Sequence, residues 1–466
     1  MHRPRQAQVE RRKTPGEQLM NALDPSELPG LPSEATVVAP PRWYGLMWFL
    51  GRPPSLTDRQ WRMLGLVAAV SFFQTYDLYL MSLNLKQIQA ELGIDEGSLG
   101  SLGSLIQSGA LLALFIVPFA DRYGRRSVLL WTIAAYTLMT ALTALAPNVE
   151  AFIALQFLAQ TFAVAEGLIA TVVIVEEFAP ENRGWGIGAA SALQACGAGF
   201  AALMFAFVEV LPFGWRALYA VGVIPLCFIA YWRRTLPETG RFASLEQARP
   251  RLAKKAPIFA NLWRAPREHP RTFAVLAVTF FCVSVADSSA GFFAPKYLQD
   301  VHGWLPSQVA LLTLIGGGLA IVGNPLSGWL SDRFGRRPTG VWFGIGYSVS
   351  LLAFYSFGGL LVPLLWIFYM FFSMGSDVTL STYSAELFPT SMRSSASGAT
   401  NLVAVVGSIV GLLLVSALFG FAGGTWNAIV IVSCLSLLLP PAIWFLFPET
   451  ARRSLDEISP EKVGDQ

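Results

Sequence analysis

The sequence predicts an all-α membrane protein, with twelve transmembrane helices in two pseudo-symmetric six-helix bundles. Three observations carry that expectation. Hydrophobic residues make up 54% of the 466 residues and charged residues only 14%, whereas an ordinary soluble domain carries about a quarter charged residues. The charges cluster between apolar stretches long enough to cross a bilayer, which takes about 20 residues as a helix. One glycine-centred phrase is also written twice, DRYGRRSVLLW from Asp121 and DRFGRRPTGVW from Asp332, 211 residues apart.

In chain order, residues 1–60 read as a polar, proline-rich, disordered cytoplasmic lead. It carries Arg3, Arg5, Arg11, Arg12 and Lys13 and lacks the early apolar core of a signal peptide. Its end, PPRWYGLMWFLGRPP, mixes Trp, Tyr and Arg and suits the membrane interface. Spans 1 to 6 are expected near 61–84, 98–119, 127–146, 150–176, 186–210 and 215–233, giving an N-terminal bundle over 61–233. A basic, proline-containing cytoplasmic linker follows at 234–270. Spans 7 to 12 are expected near 271–294, 306–330, 339–358, 360–386, 394–418 and 425–447, giving a second bundle over 271–448 and a cytoplasmic tail over 449–466. Cys196, Cys227, Cys282 and Cys434 lie far apart inside apolar segments, without zinc or redox spacing, and read as small core hydrophobes.

Charge fixes the expected orientation. With both termini in the cytoplasm, 30 of the 33 Lys and Arg fall on that side, and only Lys86, Arg216 and Lys296 fall outside. The excess of cations in cytoplasmic loops is the signal that orients multi-pass proteins.

The repeat extends beyond the first phrase. PETGR from Pro237 follows span 6 and PETAR from Pro448 follows span 12, again 211 apart. EEFAPENRG, which contains Glu177, follows span 4, and AELFPTSMR, which contains Glu386, follows span 10. Their arginines, Arg183 and Arg393, are 210 apart. These paired motifs, over about residues 55–455, resemble the major facilitator superfamily. The PET pair and the Glu386, Phe388, Pro389, Arg393 pattern are similar to its metabolite and sugar porter branch. The resemblance implies alternating access of two bundles about a cavity lined mainly by spans 1, 4, 7 and 10. Repeat-built transporters place their site at the repeat interface near midplane.

In the loop motif, Gly124 and Gly335 permit a tight turn. The cations Arg122, Arg125 and Arg126, with Arg333, Arg336 and Arg337 in the second copy, hold the loop in water. The resemblance implies a conformational latch in which Asp121 and Asp332 pair with arginines and helix N-termini across the half interface when the outside is open. Glu177, Arg183, Glu386 and Arg393 belong to the same expected latch. The second copy has Gly328 at the family's leading glycine, and the first has Val117 there.

Four carboxylates fall inside spans, where ionisable groups are costly and usually functional. They are Asp77 in span 1, Glu166 in span 4, Asp287 in span 7 and Asp377 in span 10. Asp77 maps to Asp287 at an offset of 210, and Glu166 to Asp377 at 211. The bland expectation is that they bond to backbone or to hydroxyls such as Ser288, Ser289 and Thr379. The functional expectation is proton coupling, because a low-dielectric cavity lets a carboxyl gain and lose its proton as access alternates. Asp77 leads. Its segment Q-T-Y-D resembles the D-G-Y-D pattern of aromatic acid/proton symporters at Tyr76 and Asp77, with Gln74 and Thr75 replacing the first acid and the glycine. Candidate cavity residues are Gln74, Tyr76, Tyr79, Gln160, Gln194, Tyr383 and Asn401, against the alternative that such amides and hydroxyls only join helices.

No Arg or Lys is expected at mid-depth, which disfavours a fixed-anion substrate. Span 5 lacks the proline-containing glycine pattern that resembles drug/proton antiporters, and no G-x-x-x-x-G-K-[ST] loop, metal cluster or nucleophile constellation occurs. The expected protein is therefore not an enzyme and needs no cofactor or metal. It is a monomer in the bilayer of a bacterial inner (plasma) membrane, with a small-molecule substrate and protons as partners and no nucleic acid. It moves a sugar-like, carboxylic or aromatic metabolite by proton symport. The alternatives are a proton antiporter exporting cationic or amphiphilic compounds and a non-transporting sensor on the same scaffold.

Overall fold

A computed structural model describes residues 38–42, 44–45, 53–178, 180–224, 263–389, 392–453 and 458, with 121–122, 175–177, 180–181, 183–184 and 394 described by backbone alone. Most of the N-terminal lead, most of the linker with PETGR and Cys227, and the end of the tail lie outside the described residues. Nine described helices are long and apolar enough to cross a membrane. They are spans 1 (Asp58–Leu83), 2 (Leu99–Tyr123), 4 (Val149–Glu177), 5 (Pro180–Phe205), 7 (Pro270–Asp300), 8 (Pro306–Phe334), 10 (Leu361–Glu386) and 11 (Arg393–Ala422), together with span 12. Span 12 is built from Thr425–Ser433, a 3-10 turn at Cys434–Leu438 and Leu439–Leu446, with Pro440 and Pro441 entering its last segment. Spans 3 (Arg125–Thr143) and 9 (Arg336–Ser356) occupy the expected places but are more polar, opening on paired arginines. Span 6 begins at Trp215–Val221, and its remainder lies outside the described residues.

Local chemistry sets the helix ends. Thr57 caps span 1 by accepting from Gln60 N at 3.3 Å while the Gln60 side chain accepts from Thr57 N at 3.0 Å, a reciprocal capping box. Asn148 caps span 4 by accepting from Ala151 N at 2.9 Å. Spans 2 and 3 join at Gly124, and spans 8 and 9 at Gly335, with φ of +96° and +110°. L side chains rarely adopt that backbone, so glycine is required where each D-R-x-G-R-R loop turns.

Small residues let the helices approach within each half. A Cβ on Gly197 of span 5 would collide with the Phe72 carbonyl of span 1, and one on Gly411 of span 11 with the Val285 carbonyl of span 7. A Cβ on Gly407, offset 210 from Gly197, would likewise sit 2.8 Å from the Phe281 carbonyl oxygen. Close backbone approach at small residues is how helices pack where water supplies no driving force.

The halves meet along spans 2 and 11 and along spans 5 and 8. A Cβ on Gly100 would strike the Leu412 carbonyl, and Ser101 N donates to Ser416 Oγ at 2.8 Å. At the end of the molecule opposite the D-R-x-G-R-R loops, span 1 and the short helix Leu85–Leu92 that follows it are bonded to span 7. Ser82 Oγ donates to Phe292 O at 2.8 Å, Gln87 Nε2 to Gln299 Oε1 at 2.7 Å, and Lys86 Nζ pairs with Asp300 at 3.1 Å. Asp300 also pairs with Lys296, which is 3% exposed and lies over the Trp426 ring. Thr425 Oγ1 donates to Glu96 at 3.0 Å. The far end is therefore closed by bonds that cross between halves.

The described part of the lead packs on the opposite end. Tyr44 is buried against Trp61 and Trp185, with ring centroids 5.1 and 6.2 Å away. Its ring sits in an aromatic cluster joining spans 1 and 5.

Candidate functional site

The four carboxylates occupy the predicted spans at comparable depths, but their surroundings differ. Asp77 is 7% exposed. Its Oδ2 accepts one hydrogen bond, from Thr140 of span 3 at 2.8 Å. Its Oδ1 is buried with no partner among the described residues. Glu166 is 0% exposed, and neither of its oxygens has a partner among the described residues. Tyr136 of span 3 lies within electrostatic reach of both acids. Thr137 Oγ1 and Tyr219 Oη are also buried without partners among the described residues.

The second half is built differently. Asp287 is half-buried. Three hydroxyls converge on its Oδ1: Tyr369 at 2.8 Å, Tyr347 at 3.4 Å and Ser373 at 3.4 Å. Asp377 is exposed. It follows Tyr369 and Ser373 at four-residue steps on one face of span 10, and it interacts electrostatically with Asp287. A charged side chain facing lipid is prohibitively costly, so this face borders a water-reachable space. Among the described residues, Arg and Lys lie only toward the span ends.

The expected hydroxyl partners of the acids were misassigned. Ser288 donates to Ser408 O, Ser289 to Val285 O and Thr379 to Gly375 O. Asp77 and Asp287 bond instead to the third helix of their own half, and Asp287 also bonds to span 10.

The cavity candidates separate into two groups. Gln194 and Asn401 are exposed polar groups inside spans 5 and 11, and Tyr79 is half-buried. Gln160 Nε2 donates to Gln107 Oε1 at 3.3 Å, and Gln74 Nε2 donates to Ala163 O at 2.8 Å, tying span 1 to span 4. Tyr76 and Tyr383 are not on a cavity wall, because both are 0% exposed. Tyr76 donates to Leu218 O at 2.8 Å and packs on Phe200, while Tyr383 stacks on Phe447 of span 12. A buried phenol needs a partner for its hydroxyl, and the open carbonyl where span 6 begins draws Tyr76 into the core.

The second loop motif forms a network within its own half. Arg336 donates to Asp332 at 2.6 Å and to Glu386 at 3.0 Å. Thr450 Oγ1 donates to the other oxygen of Glu386 at 2.5 Å. Glu449 of PETAR caps span 9, accepting from Arg336 N at 2.8 Å and Arg337 N at 3.1 Å. Burial alone would raise the Glu449 carboxyl, but the backbone N–H groups of Ala451, Arg337, Arg336 and Thr450 hold it below the usual glutamate value. Arg393 donates to Phe388 O at 3.3 Å, and Arg333 lies over the Trp329 ring. The side chains of Asp121, Arg122, Glu177 and Arg183 lie outside the described set. Thr140, Tyr347 and Tyr369, which bond to the acids, each read in the sequence as an ordinary polar residue of an apolar helix.

The chain matches the Major Facilitator Superfamily over residues 67–404 and 306–463. It is 26% identical to a Bacillus subtilis (strain 168) protein provisionally named niacin/nicotinamide transporter NiaP, over 87% of this chain and 100% of that one. It is 26% identical to the 4-hydroxybenzoate transporter PcaK of Pseudomonas aeruginosa, over 85% and 93%, and 26% identical to the cis,cis-muconate transport protein of Acinetobacter baylyi, over 72% and 81%. Among solved structures, a D-xylose-proton symporter superposes with a TM-score of 0.68 at 18% identity, covering 84% of this chain and 99% of that one, which establishes the shared fold. With twelve spans in two bundles and a family match over most of its length, the chain belongs to the Major Facilitator Superfamily.

Proposed function

We propose that this secondary transporter carries a small, ring-bearing organic metabolite by proton symport, with Asp77 as the proton carrier and Glu166 as a second protonated acid beside it. One observation carries the reading: in spans 1 and 4, Asp77 and Glu166 are buried with three carboxyl oxygens lacking donors among the described residues. An ionised carboxylate in such a place is far costlier than the neutral acid. A group that must be neutral when sealed, and that can ionise when water reaches it, is a proton carrier. The ring-bearing substrate class follows relatives whose names refer to niacin, nicotinamide and 4-hydroxybenzoate.

The 30-to-3 distribution of Lys and Arg supports cytoplasmic termini and D-R-x-G-R-R loops on the inner side. On this reading the bonds that tie span 1 and the helix after it to span 7 close the outer side, giving an outward-closed state, and the carrier works as a monomer in a bacterial inner membrane. In this state the second loop motif spends its charges within its own half, through Asp332, Arg336, Glu386 and Glu449. Latching across the halves belongs to the opposite state.

The test uses purified protein in liposomes loaded with a pH dye. Addition of nicotinate, nicotinamide, 4-hydroxybenzoate, benzoate and muconate outside is expected to acidify the lumen with at least one compound, and Asp77→Asn abolishes that signal. Alkalinisation of the lumen would instead establish exchange and sink symport.

A further inference from the structure

We propose that an open groove between spans 7 and 12 binds an anionic phospholipid of the inner leaflet, with one acyl chain in the groove and the phosphate on Arg267 and Arg271. The site lies apart from the acids of the transport reading and takes from that reading only the orientation of the chain.

The groove has a volume of about 550 Å³, within the ~300–1,000 Å³ of clefts that hold small ligands. Ala274, Val278 and Cys282 of span 7 form one wall, and Leu438, Ala442 and Phe445 of span 12 the other. Several of these side chains are small, and span 12 is interrupted here by its 3-10 turn and by Pro440 and Pro441, so the two helices leave space between them. Val278 is 62% exposed and Phe445 75%, so the groove opens away from the bundle. Thr279, the one hydroxyl in its lining, donates to Val275 O at 2.8 Å. With that hydroxyl satisfied, the walls suit an apolar chain.

Its depth matches one leaflet. From Ala274 to Cys282 span 7 rises about 12 Å, against about 15 Å for half of a ~30 Å hydrocarbon core. Span 7 starts at Pro270, directly after the linker, so on the proposed orientation the groove lies on the inner side. Trp263 and Trp444 are exposed at the same end, and indoles settle at the headgroup level.

Charge selects the headgroup. Arg271 stands one helical turn before Ala274 and Val275, on the stripe that continues through Val278 and Cys282. Arg267 belongs to the short helix Arg264–Glu268 just ahead of it. Both arginines are exposed and hold no ion pair among the described residues. The acids at this end are used elsewhere. Glu268 pairs with Arg264, Asp332 and Glu386 pair with Arg336, and Glu449 caps span 9. Two uncompensated guanidinium groups at the mouth of an apolar groove fit a phosphate with a chain beneath it. A zwitterionic lipid brings an ammonium that they repel.

Native mass spectrometry of the detergent-purified full chain, titrated with phosphatidylglycerol or phosphatidylcholine of identical chains, tests the site. Phosphatidylglycerol is expected to bind at least ~10-fold more tightly, a difference of about 1.4 kcal/mol. The double variant Arg267→Gln, Arg271→Gln should bring the two lipids to near equality. Val278→Trp, which fills the groove, should weaken both lipids ~10-fold or more, the scale of a few chain methylenes denied burial, and leave their ratio unchanged. The arginines are exposed, so the double variant keeps the test open if Val278→Trp fails to fold. Equal binding of the two lipids, or a ratio unchanged in the double variant, would overturn the proposal. So would phosphatidylglycerol that is displaced by inorganic phosphate and untouched by Val278→Trp, which marks a phosphate site without a seat for a chain. Binding is read without substrate, so a negative result leaves the transport reading standing.

Discussion

Asp77 and Asp287 stand 210 residues apart at equivalent places in the two halves, as Glu166 and Asp377 do at 211. Both members of the first pair turn toward the third helix of their own half, yet their environments are opposite. In the N-terminal half, two acids are sealed, and among the described residues one Thr140 hydroxyl is their whole donor supply. In the C-terminal half, one acid holds three hydroxyls and the other is exposed. Duplication copies position along a helix but not the neighbours that set protonation. The substitution of Tyr347 for the position of Thr137, also 210 apart, shows how one side chain on a flanking helix changes an acid's surroundings. On the proposed function the work is divided, the sealed acids of the first half carrying protons and the donor-rich Asp287 of the second carrying none.

Several experiments would break or sharpen this contrast. The largest effect is expected from Asp77→Asn, which should lower substrate-evoked proton flux ~100-fold or more, the scale of losing a positioned proton carrier. Asp377→Asn should leave proton coupling intact, and liposome acidification measures both. Next comes packing. Gly407→Val should cost about 1–3 kcal/mol by forcing a branched side chain against the Phe281 carbonyl, seen as a lower melting temperature and folded yield. The acids' partners differ by less. Tyr369→Phe removes a 2.8 Å bond to a charged acceptor and should cost ~2 kcal/mol, against ~1 kcal/mol for Thr140→Val, whose acceptor is a neutral acid. Equal losses in the two melts would erase the contrast.

The smallest effect lies at the second loop motif. Because Glu449 is held below the usual glutamate value by backbone donors, its ionised form binds the fold more tightly than the unfolded chain. Its contribution is therefore full above the unfolded value of about 4.3 and disappears as pH falls through the lower folded value. Glu449→Gln should lower stability by ~1 kcal/mol at pH 7, and the gap to the parent should close on acidification below about pH 4. A gap that persisted in acid would show that the cap acts through neutral hydrogen bonding alone.

Much of this architecture is legible in the residues. The apolar stretches, the charge distribution and the paired D-R-x-G-R-R and P-E-T phrases lead to twelve spans in two halves, and the family match agrees. The four acids stand out because an ionisable group in hydrocarbon has no cheap explanation. Their surroundings are not legible, because a helix apolar all round carries no periodic signal for which side faces a neighbour. Tyr76 and Tyr383 thus look like wall residues beside polar neighbours, and the structure turns both into the core. Tyr347, Tyr369 and Thr140 look like unremarkable polar residues until the ninth, tenth and third spans bring them within reach of an acid. The PETAR glutamate is visible as a repeat, but its role as the cap of span 9 depends on the tail folding back over 100 residues of chain.

The division of labour is tested most directly by infrared spectroscopy of the carboxyl carbonyl stretch, which reports protonated acids and shifts in heavy water. At pH 7 the parent protein should show buried, protonated carboxyl bands. Asp77→Asn and Glu166→Gln should each remove a band, and Asp287→Asn should remove none. Loss of a protonated band in Asp287→Asn, with Asp77→Asn and Glu166→Gln leaving the spectrum unchanged, would contradict the account and reverse the roles of the two halves.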